Sequence, residues 1–153
     1  MYAAAAAALC TGCGITGSAV LEAGDAPTGI APGVTLYFVG AGGDLVPQAR
    51  PTGSLGGIPG ALDLLSRIPN PGDGLYSEVP WSDSGPMSSV TEFDDRITIR
   101  MPVPRAELTD LAVSQIACTA LGVHRQAGRP PATVVIIPTH GAEIGPVGCP
   151  AQS

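Results

Sequence analysis

Cys13 stands after a short apolar run, Ala3 to Leu9, and directly after the small residues Thr11 and Gly12, with Gly14 following. This arrangement resembles a bacterial lipobox, in which the cysteine sulfur is acylated and the peptide before it is removed. Cys118 invites a second kind of chemistry, because His124 follows six residues later and His140 lies in Thr139-His140-Gly141. A thiol nucleophile needs electropositive support for its thiolate, and Cys118 sits in an apolar helical pattern without any, so a structural role is preferred. His124 is expected just past a helix stop, capping carbonyls or meeting solvent, and His140 follows a buried strand but supports no mechanism alone. Glu92, Asp94 and Asp95 could hold calcium or exchange protons, but turn formation explains them more simply, since Asp bonds nearby backbone in turns. No catalytic residue, metal site or cofactor is therefore expected. Trp81, between Pro80 and Ser82, and Tyr76 in the same loop are candidates for contact with a partner; Trp81 can equally fold back over the core.

Cleavage before Cys13 would discard Cys10, and acylation would consume the Cys13 thiol, leaving Cys118 and Cys149. An even pair outside the cytoplasm is expected to be a disulfide, the alternative being two buried free thiols. Closing the 31-residue separation would contribute roughly 3.5 kcal/mol on the chain-entropy model. The four cysteines are too dispersed for the paired knuckles of a zinc site. A signal peptide opens with Lys or Arg, whereas Met1-Tyr2 leads straight into alanine, so the true start is expected upstream. The competing reading of the Ala-rich start is compositional noise.

The chain suits one domain and a tether: residues 1–12 as the remnant of a signal peptide, 13–32 as the lipidated cysteine with a flexible spacer, and 33–150 as the folded part. With 21 Gly and 16 Pro among 153 residues, long loops are expected, while 44% hydrophobic content supports a core. The net charge of -6 and the absence of any Lys/Arg stripe argue against nucleic acid as a partner. The same scarcity leaves lipid at Cys13 as the means of membrane attachment, because a polybasic segment and a spanning run of about 20 apolar residues are both missing.

Gly33 to Val39 alternates, with Val34, Leu36 and Phe38 on one face and Thr35, Tyr37 and Val39 on the other, which predicts a strand. Leu45 to Arg50 can return beside it after the Gly40 to Asp44 turn, Pro47 favouring an edge or bulge. Ile58, Leu62 and Leu65 recur at helical spacing between Pro59, tolerated in a first turn, and Pro69, which ends the run. Asn70 to Met87 is a loop with a short extended piece at Tyr76 to Val79. Ser89 to Phe93 and Arg96 to Met101 flank Asp94-Asp95 as a hairpin. A second helix is expected from Pro104 to about Leu121, with Gly122 as its stop. Val134 to Ile137 reads as a buried strand, and Glu143 to Val147 as a possible last one. The expected class is α+β, order β-β-α-β-β-α-β, with about five strands in one mixed sheet and both helices on one face.

Gly33 to Val39, Leu45-Val46-Pro47 with Arg50, Ala61 to Leu65, Gly74-Leu75 with Val79-Pro80, and Ala112 to Thr119 together resemble the GerMN domain, a module of spore-germination and sporulation proteins and of lipoproteins in high-GC Gram-positive bacteria. The resemblance spans about Gly33 to Cys149. The chain departs from the family in having Arg67-Ile68-Pro69 and Gly74-Leu75-Tyr76-Ser77 where Gly-Pro and Gly-Leu-x-Thr are usual, which bears on the shape of that loop. What the resemblance implies is a small α+β module that acts by contact rather than catalysis. The resulting expectation is a noncatalytic cell-surface lipoprotein whose partners are the membrane, through lipid, and another envelope protein or a second copy. An envelope hydrolase using His140 and a small-ligand carrier are the alternatives.

Overall fold

The structure, a computed structural model, describes residues 33–53, 57–81 and 88–152. Cys13 and the expected tether lie outside the described residues. The elements are β1 (Val34–Val39), β2 (Leu45–Arg50), α1 (Ile58–Arg67), β3 (Ser89–Phe93), β4 (Arg96–Arg100), α2 (Asp110–Gln126), β5 (Thr133–Ile137) and β6 (Ile144–Val147). The class is α+β. The strands form two sheets rather than one: β1 pairs antiparallel with β2, and a mixed sheet of four runs β3-β4-β5-β6. Within it β4 and β5 are parallel and the two outer pairs antiparallel. Helix α2 makes the crossover that two parallel neighbours require.

The reason for two sheets lies in the outer edge of β1. Tyr37 faces Pro47 across the hairpin at a position where antiparallel alternation turns the peptide groups of both residues away from the partner strand, which is why a proline is tolerated there. There they meet side chains of α2 one helical turn apart. The Tyr37 N–H donates to Thr119 Oγ1 at 3.2 Å, and Gln115 Nε2 donates to the Tyr37 carbonyl at 2.9 Å. Val39, two residues on and facing the same way, exchanges bonds of 2.9 and 2.8 Å with Tyr76. A fifth strand has no groups left to pair with here, so the expected single sheet divides. The same arrangement buries both faces of β1: Tyr37 and Val39 are as enclosed as Leu36 and Phe38, unlike the one-sided burial that alternation suggests.

Helix α2 also differs from its expected span. Pro104 opens only a 3-10 turn, Arg105–Glu107. The helix proper begins after Thr109, whose hydroxyl accepts from the Ala112 N–H at 3.0 Å as an N-cap. It runs through Gly122 and stops at Gly128, which has φ 72°. The Gly128 N–H bonds the Arg125 carbonyl and the Arg129 N–H bonds the His124 carbonyl, the paired closure of a Schellman ending. Helix α1 matches expectation, with Pro59 in its first turn and Ile58, Leu62 and Leu65 buried.

One core joins the layers. Leu36 and Phe38 of β1, Leu62 and Leu65 of α1, Ile116 of α2, and Ile97, Ile99, Val134 and Ile136 of the larger sheet belong to a single cluster. Cys118 and Cys149 are bonded, with Cα atoms 4.6 Å apart, which ties the middle of α2 to the segment after β6. Gly145 sits where β6 bulges against β5. A Cβ there would lie 2.6 Å from the Val134 carbonyl oxygen, so the close approach excludes a side chain.

Candidate functional site

Trp81 is 44% exposed and borders a cleft of about 530 Å3 whose other walls are Ser66, Arg67, Pro69 and Val79. Its position follows from local structure at both ends. Helix α1 carries Arg67 in its last turn, where a cation suits the carbonyl ends. Asp63, four residues earlier, receives the guanidinium at 2.8 Å. Oriented by that pair, Arg67 lies over the Trp81 ring, 4.5 Å from its centroid. Such a contact contributes about 0.5–1 kcal/mol at an exposed site, enough to bias the ring's orientation and to leave part of its surface open. The loop between is drawn in by the Ser77 N–H, which bonds the Pro69 carbonyl at 2.8 Å, and by the Glu78 N–H, which donates to Gln115 Oε1 at 2.8 Å. The Thr109 hydroxyl also donates to the Glu78 carboxylate.

Tyr76, the other aromatic expected to meet a partner, is half-buried. Both its backbone groups are held by Val39, and it is not among the residues that form the cleft. Arg67, Pro69 and Val79 were not foreseen as site residues. The Asp63/Arg67 spacing at helical register is visible in the sequence, but nothing local says that Trp81 comes to lie beneath it.

The candidate catalytic groups are dispersed. Cys118 is fully buried and disulfide-bonded. His124 is inside α2, not past its end, and is 4% exposed. Its Nε2 lies 2.9 Å from the Pro130 carbonyl, which can only accept, so this nitrogen carries a proton; Nδ1 lies 2.7 Å from a Glu92 carboxylate oxygen. Arg129 approaches the same Glu92 oxygen at 2.7 Å. The trio joins the hairpin strand β3 to the end of α2 and has the form of a structural clasp, the carboxylate being shared between two partners. Asp94 and Asp95 form the hairpin tip, Asp94 with φ 50°, and the Asp95 carbonyl accepts from the Thr133 N–H at 2.7 Å. His140 is exposed, and its carbonyl accepts from the Arg105 N–H at 2.9 Å. Among the described residues no three His, Cys, Asp or Glu side chains gather in a way that could hold a metal ion.

The arrangement at Trp81 can offer an aromatic face, a guanidinium edge and apolar walls to a docking surface. No protein-family model, curated protein or solved structure matches the chain.

Proposed function

We propose that this chain is a noncatalytic, extracytoplasmic lipoprotein whose domain docks another envelope protein at the Trp81 cleft. The observation that carries the reading is the half-exposed Trp81 held under Arg67 beside Pro69 and Val79, because Trp and Arg next to a pocket are the residue types that dominate binding energy at interfaces. A bonded Cys118 and Cys149 accord with an oxidising compartment. Among the described residues no helix is long and apolar enough to cross a membrane, and in this reading attachment comes from lipid on Cys13, where two acyl chains hold far better than one. The resemblance of Gly33 to Cys149 to the GerMN domain supplies the class of activity, contact within envelope, sporulation or germination assemblies.

The test places a photoreactive group at the exposed Asp73 of the chain in its native cells. A discrete crosslinked species is expected, lost in Trp81→Ala. Equal yield from the Trp81→Ala chain removes the cleft from the mechanism. Fatty-acid labelling tests the anchor separately, since a Cys13→Ala chain that still takes up full label has no acyl group at that position.

A further inference from the structure

We infer that a second cleft, at the carboxyl ends of the parallel strands β4 and β5, binds a small carboxylate with a short apolar body. The cleft is a shallow, open depression of about 360 Å3 lined by Ser88, Ser89, Arg100, Met101, Pro102 and Thr139, at the small end of the range, about 300–1,000 Å3, of sites that hold small ligands. Topology brings these residues together. Arg100 is the last residue of β4, Thr139 follows the end of β5, and Ser89 begins the antiparallel β3 directly opposite Arg100. The Thr139 N–H bonds the Val103 carbonyl at 2.9 Å, which fixes that wall. Carboxyl ends of parallel strands are where open sheets containing such strands tend to bind ligands.

Two features point to an anion. Arg100 is exposed and forms no ion pair with any described residue, so its guanidinium is available for the two parallel bonds that a carboxylate accepts. Ser88 is 8% exposed, and its Oγ is buried without a hydrogen-bond partner among the described residues. A buried hydroxyl with no partner is unfavourable, and since Ser88 lines the cleft, rotation about its Cα–Cβ bond would bring the hydroxyl to an acceptor oxygen held there. Ser89 and Thr139 add two more hydroxyls. Charge balance favours a monoanion: one guanidinium matches one carboxylate, whereas a phosphate dianion would add uncompensated charge to a chain already at -6. Met101, 2% exposed, and Pro102 give the apolar wall that the ligand's body would cover. The site is independent of Trp81, and its failure would leave the docking reading standing.

The experiment follows amide shifts of the 153-residue chain on titration with butyrate, with neutral butyramide, and with inorganic phosphate. Saturable shifts at Ser88, Ser89, Met101 and Thr139 are expected with butyrate and not with butyramide. Arg100→Gln, a change at an exposed position, should weaken butyrate about tenfold, the scale of one lost charge-assisted bond. Ser88→Ala should weaken butyrate while raising the melting temperature of the free protein, because it removes the unpartnered hydroxyl; a merely structural Ser88 would lower it. Butyramide binding as well as butyrate, phosphate binding more tightly than butyrate, no saturable shift with butyrate, or unchanged affinity in Arg100→Gln would each overturn the proposal.

Discussion

Replacing Gln115 by Met is the most direct trial of the reasoning about β1. Gln115 is fully buried, and its amide orientation is set by its partners: Nε2 must face the Tyr37 carbonyl and Oε1 the Glu78 N–H. Methionine has nearly the same volume and length, so core packing is largely kept and the cost isolates the hydrogen bonds. The substitution removes the buried bond from Gln115 to the Tyr37 carbonyl, which costs about 1–3 kcal/mol, and loss of the bond from the partly buried Glu78 N–H adds about 1 kcal/mol more. The expected loss is about 2–4 kcal/mol. At about 4 °C per kcal/mol for a domain of this size, the melting temperature should fall about 8–16 °C. Urea unfolding measures the loss directly, the midpoint moving while the slope stays constant. Thr119→Val, which strips the bond to the Tyr37 N–H, provides a double-mutant cycle; the two residues serve one peptide edge, and their effects should be non-additive. A loss in Gln115→Met below about 0.5 kcal/mol, inside the range of ordinary surface changes, would refute the claim that α2 side chains replace a neighbouring strand.

Four further outcomes follow from the geometry. Cys118 and Cys149 should not react with a thiol reagent in the folded, unreduced protein, and a Cys118→Ala/Cys149→Ala chain should lose roughly 3.5 kcal/mol of stability in denaturant titration. His124→Ala should cost about 2–4 kcal/mol by the same measurement, because it removes a buried ring, opening a cavity at the β3/α2 junction, together with its bonds to Glu92 and Pro130. Gly128→Ala should cost about 1 kcal/mol, since its φ of 72° is unfavourable for a side chain while no atom lies within 4 Å of the added Cβ. Gly145→Ala should cost more, because the Cβ would meet backbone at 2.6 Å and the β5/β6 bulge must shift; equal melting temperatures for the two glycine variants would contradict that ranking.

The elements themselves were legible in the chain. Alternation at Val34 to Val39, the β-branched run at Val134 to Ile137, the hairpin around Asp94-Asp95 and the proline limits of α1 are each written within a few residues, because period and turn chemistry act locally. The cysteine count likewise pointed to Cys118 and Cys149 as the bonded pair. Of the candidate site, Trp81 was visible as a loop aromatic, while its stacking under Arg67 was not.

What the tertiary structure alone decided was where each element ends and what lies against it. Gly122 has the local look of a helix stop, yet α2 passes through it because His124 beyond is buried and bonds the Pro130 carbonyl and the Glu92 carboxylate. The strands divide into two sheets because Gln115 reaches the peptide of Tyr37, 78 residues away in sequence. Neither fact has a local signature: a buried Gln or Thr in a helix pattern reads as an ordinary polar residue until the backbone group it must satisfy is brought to it. The same holds for the cleft at Ser88, Arg100 and Thr139, whose residues come from three separate strand ends and acquire a shared chemistry only when the parallel pairing of β4 and β5 sets them side by side.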